Sequence, residues 1–521
     1  MNTTASILAV GLVAAATLVI GALGLRVSRT TSDFYVASRS VGPVWNASAI
    51  GGEYLSAGSF LGVAGLVLAF GADMLWYPVG WTAGYLVLLV LVASPLRRSG
   101  AYTLPDFAEV RLESVLARRI SSVLVVAIGW LYLLPQFQGA GITLRTVTGA
   151  PVWVGGVVIA VVVIVNVLSG GMRSITFVQA FQYWLKLTAL LVPLVFLLLR
   201  WSADGWPSPA ASQVGPAALP GEEWALPLSS GIDHPVYATY SLILATFLGT
   251  MGLPHVLVRF YTNPDGRAAR RTTLVVLVLL GTFYLLPALY GALGRVYAPD
   301  LLASGRGDTV VLELPVRMVD GAAGDVLGAL VTAGAFAAFL STSSGLTVSV
   351  AGVLSQDVLA RWLGGVRAFR LAGVLAVMVP LLLAMLAQGL PIAQVVGLAF
   401  AVAASTFCPL LVLGIWWARL TDVGAIAGLL AGGTLSGGAV VLTVLGLAED
   451  GWAGALLSQP GAWTVPVAFA VMVGVSVATP RRIAPNVGRT MVRLHMPEQI
   501  DVDRGDFQPR AARLSVARRH R

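Results

Sequence analysis

Apolar runs follow one another along the whole chain, near residues 4–25, 44–70, 74–95, 119–141, 151–169, 176–200, 237–258, 272–296, 322–356, 370–388, 392–417, 424–447 and 463–480. A helix crossing a bilayer needs about 20 apolar residues, so the pattern predicts an all-α integral membrane protein of about thirteen spans. Two runs are not plain spanning helices. The first contains Ala49-Ile50-Gly51-Gly52-Glu53-Tyr54-Leu55-Ser56-Ala57-Gly58-Ser59-Phe60-Leu61-Gly62, with a glycine pair, an acid and two serines where Leu and Val are expected. The second contains Phe247-Leu248-Gly249-Thr250-Met251-Gly252-Leu253-Pro254. Helical backbone opened inside hydrocarbon survives only where it lines a protein cavity. Glycines for close helix packing are the plain alternative, but they leave a buried acid beside a glycine pair unexplained.

The two broken runs open corresponding blocks. Residues 44–200 hold five spans and residues 237–417 hold five more, and an odd number per block turns the second upside down relative to the first. Broken helices at matching places in two inverted halves mark a binding site at their interface. The pattern therefore divides the chain into a first helix and inner loop (1–43), repeat 1 (44–200), an outer loop (201–236), repeat 2 (237–417), two peripheral helices (418–480) and a basic tail (481–521), disordered or lying on the cytoplasmic surface.

Charge fixes the expected orientation. With 57% hydrophobic and 11% charged residues among 521, an ordinary soluble domain is excluded. The net charge of +9 comes almost wholly from arginine, Lys186 being the only lysine. The arginines gather in alternate loops: Arg97, Arg98, Arg111, Arg118 and Arg119; Arg173; Arg259, Arg267, Arg270 and Arg271; Arg361, Arg367 and Arg370; Arg419; and the tail from Arg481. This is the positive-inside pattern of a membrane protein rather than a nucleic-acid footprint, and it predicts the N-terminus outside and the C-terminus inside. Arg145, Arg200, Arg295, Arg306 and Arg317 are exceptions. The first run has Arg26, Arg29 and Arg39 after it and no basic residue before it, the reverse of a signal peptide, so it reads as a retained helix. Cys408, the only cysteine, permits no intrachain disulfide and reads as a packed helix residue.

Three intramembrane features carry chemistry. Ala337-Ala338-Phe339-Leu340-Ser341-Thr342-Ser343-Ser344-Gly345 places four hydroxyls in succession within a span. They are suited to a hard cation, although Ser and Thr also bond back to their own helix. Glu53 is the one acid deep in a span, and an intramembrane acid is functional by default. It strengthens a cation's field, carries a proton, or pairs with a base. Lys186 is the basic residue placed deepest, and Gln179, Gln182 and Lys186 share one helix face directed into the bundle.

With these residues in place, the chain resembles the sodium:solute symporter family over residues 1–480. The resemblance rests on Asp33-Phe34-Tyr35-Val36-Ala37-Ser38-Arg39, Tyr102-Thr103-Leu104-Pro105-Asp106-Phe107, Gly170-Gly171-Met172-Arg173-Ser174, Leu253-Pro254-His255-Val256-Leu257-Val258-Arg259-Phe260 and the Ser341-Thr342 helix. The run Gly52–Gly62 is most similar to the cation/acetate, short-monocarboxylate branch. The resemblance implies a five-plus-five inverted-repeat core of the LeuT type. It implies a sodium site on the carbonyls of Gly52, Leu55 and Ala338 and the hydroxyls of Ser341 and Thr342, with Na+ as the coupling ion. The family often has an acid where Gln179 stands. Its absence, with a lysine two turns on, brings strict sodium coupling into question, because an ammonium at the cation site replaces sodium and makes a carrier proton-driven; snorkelling and pairing with Glu53 are the plain readings of Lys186. By position, Tyr54, Ser59, Tyr77, Thr246 and Thr250 match cavity-lining residues. The half-helix end around Gly249–Gly252 is placed to receive a carboxylate through free N–H groups. His255 and Arg259 read as gate or loop anchors.

The expected function is import of a short-chain monocarboxylate such as acetate, propionate or pyruvate, driven by sodium. A proton-driven carrier of the same fold, a sodium symporter for proline, pantothenate or another small solute, and a transporter-like membrane sensor are the alternatives. No P-loop, GxSxG or HExxH pattern occurs, and His234, His255, His495 and His520 are scattered, so no enzyme is expected. The expected partners are the small carboxylate and the lipid bilayer, with no nucleic acid and no obligatory protein partner.

Overall fold

The computed structural model describes residues 2–25, 41–212, 219–228, 234–363, 365–386, 390–447, 451–497, 500–501 and 506–507. The Asp33–Arg39 motif, the tail beyond residue 507 and the side chains of Gly170–Arg173 lie outside the described residues. The chain is a helical bundle. In order it runs α1 (Thr3–Leu25), α2 (Pro43–Tyr54), α3 (Val63–Phe70), α4 (Trp76–Val87), α5 (Val115–Thr148), α6 (Val152–Ala203), α7 (Pro235–Gly249), α8 (Pro254–Tyr261), α9 (Gly266–Tyr297), α10 (Gly321–Val353), α11 (Gly365–Leu386), α12 (Ile392–Trp416), α13 (Asp422–Val444), α14 (Gly461–Ala478) and α15 (Val487–His495). Non-helical pairing is confined, among the described residues, to Ile500–Asp501 against Asp506–Phe507 and the bridge between Thr421 and Ile483.

Local chemistry sets where helices begin. Ser114 accepts from the Ala117 amide to start α5. Asp265 accepts from the Ala268 amide at 2.7 Å to start α9, and Thr421 caps α13 through the Gly424 amide. In the Tyr102–Phe107 motif, Thr103 and Asp106 form a reciprocal capping box, which satisfies two amide donors that a helix start leaves orphaned.

Among the described residues, ten helices are long and apolar enough to cross a membrane, eleven when the bent pair α7–α8 is one span. Thirteen passes follow when two long segments are divided. Residues Gly58–Ser99 form one apolar stretch of 42 residues, interrupted at Gly71, whose φ of +69° ends α3. Helix α6 has 52 residues, about 78 Å at 1.5 Å per residue, more than twice the hydrocarbon thickness. Its two parts, 152–168 and 174–203, both return to α1, since Asn166 and Ser174 flank Gly21.

Both broken runs are broken in space. Helix α2 stops at Tyr54, Leu55 leaves helical geometry with ψ 88°, and the chain resumes through wide π-helical turns at Gly58–Gly62. Helices α7 and α8 are bent by 40° around Leu253, with ψ 117°, ahead of Pro254. The two breaks lie side by side and antiparallel, as inverted halves require: Asn46 reaches Arg259 and Thr262, while Tyr54 reaches Thr250. Helix α12, nearly all buried, forms the wall behind both, and Cys408 packs within it.

The arginines that depart from the inner-loop pattern are largely locked in place. Arg317 holds Asp300 at 2.5 Å and Glu313 at 2.7 Å, Arg306 also pairs with Glu313, and Arg200 meets Asp204 at 3.2 Å. Arg295 is buried, donating to the carbonyls of Pro209 and Leu219 beneath the Trp224 ring. At the opposite end, α15 rests against the inner ends of other helices, with Arg98 donating to the His495 carbonyl.

Glycine sets how closely the peripheral helices approach. A methyl group on Gly432 of α13 would lie 1.8 Å from the Ser405 carbonyl oxygen of α12, whereas one on Gly438 meets nothing within 4 Å. Gly432→Ala is expected to cost about 1–3 kcal/mol by overpacking and to lower the melting midpoint in detergent. Gly438→Ala on the same helix is expected to leave it unchanged.

Candidate functional site

The break in α2 frees backbone groups in the buried interior, and side chains meet four of them. The Ala57 amide donates to Gln136 Oε1 of α5 at 2.9 Å. The Gly52 carbonyl accepts from Ser341 Oγ at 2.6 Å and from Lys186 Nζ. The Glu53 carbonyl accepts from Thr342 Oγ1 at 2.6 Å, and the Leu55 carbonyl accepts from Lys186 Nζ at 2.7 Å. A buried unpaired backbone group costs about as much as a lost hydrogen bond, so these side chains hold the break open. Gly52 is required for the approach: a methyl group there would sit 2.1 Å from the Gln179 carbonyl oxygen.

Lys186 lies at the centre of this arrangement, fully buried. Its Nζ meets three oxygens, the carbonyls of Gly52 and Leu55 and the hydroxyl of Ser341, the last at 2.6 Å. An ammonium there would have one donor for each of these three oxygens. Of the five groups anticipated for sodium, three therefore surround the lysine nitrogen. Of the remaining two, Ala338 O lies 3.0 Å from Ser341 Oγ as the alternative acceptor to Gly52 for its one hydroxyl proton, and Thr342 Oγ1 donates to the Glu53 carbonyl. A sodium ion and a charged lysine would compete for this one set of neutral oxygens in a low-dielectric interior.

Glu53 is paired, but with Arg259 rather than Lys186. Arg259 Nε donates to Glu53 Oε2 at 2.7 Å, with both side chains buried. Its other nitrogens reach Thr176 Oγ1 at 2.7 Å and Gln179 Oε1, and Gln179 Nε2 donates to the Ser341 carbonyl at 2.9 Å. Arg259 thus clamps α2 to α8 and α6 deep in the bundle; it is no loop anchor. Gln182 turns away from the site, donating to Thr17 of α1 at 2.9 Å; the face shared with Gln179 and Lys186 is wide enough to touch two neighbours.

The residues expected around the substrate divide. Tyr54 donates to the Trp81 carbonyl at 3.1 Å or to Thr250 Oγ1 at 2.9 Å. Ser59 meets the Tyr284 hydroxyl at 2.9 Å. Thr246 and Thr250 bond back to the carbonyls of Leu242 and Thr246 and press on Gly80 and Gly84 of α4. Gly249 abuts the Phe400 carbonyl of α12. Tyr77 lines a separate cavity of about 250 Å³ with Asp73, Thr239 and Gln394. Sequence reasoning missed Gln136 and a cluster of four rings, in which Phe400 meets Tyr54, Trp81 and Tyr132, and Trp81 meets Tyr284, at centroid distances of 5.7–6.1 Å. Only Gln136, a polar residue in an apolar run, carried a signal in the sequence.

Packing and ion pairs join helices on both sides of the site. On one side Gly58 and Gly62 pack against Ala393 and Val396 of α12, and Asp308 accepts from the Ile392 amide at 3.3 Å. On the other, Arg118 ties Asp106, Glu109 and Asp357 together at 2.6–3.0 Å. The Glu53–Arg259 pair admits a direct test. Arg259→Ala strands a buried carboxylate, and breaking a buried pair costs about 3–5 kcal/mol. Its melting midpoint is expected to fall well below that of Glu53→Gln/Arg259→Met, which removes both charges.

Residues 34–432 match the sodium:solute symporter family. The uncharacterized symporter YwcA of Bacillus subtilis is 32% identical over 492 residues, covering 90% of this chain and 93% of that protein. The monocarboxylic acid transporter of Corynebacterium glutamicum is 32% identical over 500 residues, covering 88% and 89%. Among solved structures, a Na+-coupled sialic acid symporter aligns with TM-score 0.68 over 92% of this chain and 98% of that chain, at 15% identity. Mhp1, a nucleobase-cation-symport-1 family transporter, aligns with TM-score 0.50 over 89% and 99%, at 14% identity. These likenesses agree with the all-α inverted-repeat fold, and the relatives are symporters or transporters rather than enzymes. The chain is a multi-pass membrane protein belonging to the sodium:solute symporter family.

Proposed function

We propose that this protein is a secondary importer of short-chain monocarboxylates, of the acetate, propionate and pyruvate type, in which a proton carried by Lys186 does the work of the coupling ion. The observation that carries the reading is the lysine nitrogen on the Gly52 and Leu55 carbonyls and the Ser341 hydroxyl. Protonated, Lys186 ties the broken end of α2 to α6 and α10. On losing its proton it gives up one donor and its charge, and the hold on α2 loosens. A ligand drives a conformational change only through contacts that differ between the two states, and this proton makes such contacts.

The charges support an anionic substrate. At the two breaks Lys186 and Arg259 stand against Glu53, leaving one positive charge there when Lys186 is protonated. An uncompensated intramembrane charge is costly, and one monocarboxylate neutralises it. One proton and one anion then cross together without net charge. The likeness to a monocarboxylic acid transporter supports the same substrate class, and the bulky rings around Tyr54 favour a small molecule.

Sodium coupling is the second reading, favoured by the family and by the oxygen set around Gly52. It requires Lys186 to leave that set or lose its proton. Uptake into proteoliposomes separates the two, with pyruvate as probe because undissociated acetic acid crosses lipid unaided. An inward proton gradient is expected to drive pyruvate accumulation with choline in place of sodium, and a protonophore to abolish it. Lys186→Ala is expected to lose this accumulation. Accumulation that demands a sodium gradient and ignores the proton gradient would replace this reading with the second.

A further inference from the structure

Among the described polar groups near the two breaks, His255 has no partner. The ring is fully buried, and neither Nδ1 nor Nε2 makes a hydrogen bond. Ser56 Oγ, Trp81 Nε1 and the Tyr85 hydroxyl near the breaks are unpaired as well, as are hydroxyls farther off such as those of Ser343 and Thr347, but His255 alone among these leaves two ring nitrogens unmet. A hydroxyl can rotate onto a carbonyl of its own helix, whereas an imidazole one residue into a helix has no such recourse. Burying a polar group without a hydrogen bond is costly, so an unpaired histidine at the heart of a membrane protein points to something that binds it.

Its placement indicates where the ring faces. His255 and Arg259 are one turn apart on α8 and share a face, and Arg259 points at Glu53 of α2. One turn nearer the break, His255 meets the ring of Tyr132 at 5.1 Å. Tyr132 is itself one turn from Gln136, which reaches into the α2 break. The imidazole therefore lies between the two breaks. It also stands in the first turn of α8, where Leu253 provides no side-chain cap and Pro254 has no amide. The first amides of a buried helix are orphan donors at its positive end, favourable to an anion. The Tyr85 hydroxyl, buried and unpaired as well, lies on the far side of Tyr54, the two rings 4.9 Å apart.

We infer that His255 binds the carboxylate of the transported anion: an imidazole N–H and the first-turn amides of α8 hold its oxygens, and the short carbon tail rests on Tyr132 and Phe400. This makes His255 a substrate ligand rather than a gate residue. The inference rests on the monocarboxylate reading above, and it holds for a proton-driven or a sodium-driven carrier alike.

The test is equilibrium binding of radiolabelled pyruvate to the purified full-length protein in detergent, with wild type, His255→Ala and His255→Gln, alongside the melting midpoint of each with and without pyruvate. Loss of a hydrogen bond to a charged group is expected to weaken binding roughly tenfold to a hundredfold in His255→Ala, and to remove the melting shift that pyruvate gives the wild type. His255→Gln, which keeps a donor, is expected to recover part of both. If His255→Ala does not fold, His255→Gln decides: affinity weaker than wild type with a normal ligand-free melting midpoint supports the inference, and unchanged affinity overturns it. Wild-type affinity in His255→Ala overturns the inference alone. A wild type that binds neither pyruvate nor acetate overturns both the inference and the substrate reading.

Discussion

The structure depends on one requirement: backbone groups freed inside a membrane protein must be satisfied by the protein itself. Opening α2 between Tyr54 and Ala57 releases carbonyls and an amide, and four side chains from three other helices answer them. Lys186 comes from α6, Ser341 and Thr342 from α10, and Gln136 from α5. Those hydrogen bonds fix how the three helices sit around the break, and the Glu53–Arg259 pair then fixes the second broken helix against the first. The site is the means by which the interrupted helix is stabilised. A group that changes its donor number here acts on the packing of the bundle directly.

This also explains the tolerance for charge. Glu53 and Arg259 are both withdrawn from solvent, and a buried pair stabilises little beyond what its desolvation costs. What it supplies is position. The guanidinium also engages Thr176 and Gln179, so α2, α6 and α8 meet at one group with fixed geometry. Gly345 permits this, because a methyl group there would fall 2.0 Å from a Glu53 carboxylate oxygen. The hydroxyl run and the glycine that ends it serve the two neighbouring charges.

Much of the architecture was legible in the sequence. Apolar run length gave the helices, Gly51-Gly52 beside Glu53 and the Gly249–Pro254 stretch gave both breaks, and lysine scarcity singled out Lys186. These signals are local, since each depends on what a residue type costs in hydrocarbon. Pairings were harder to read. Arg259 and Glu53 are 206 positions apart, and nothing in either neighbourhood distinguishes a clamp from a loop anchor. Thr246 and Thr250 carry polar side chains in a promising place, yet their hydroxyls are spent on their own helix and they face glycines of α4. An aromatic such as Phe400 is indistinguishable in sequence from any core residue, although several rings converge on it. The merging of neighbouring spans into α6 escaped the pattern because helical hydrogen bonding continues across a polar connection.

One contact has a mechanical meaning. Gly249 and Gly252, on the broken segment, rest directly on the backbone of α12 at Phe400 and Ala403, with no side chain between them. Interlocked side chains must disengage before two helices can move past each other, and packed cores resist this. Backbone against backbone has nothing to unlock, so this seam behaves as a bearing. A shear of packed helices would meet less resistance along this seam than across interdigitated side chains.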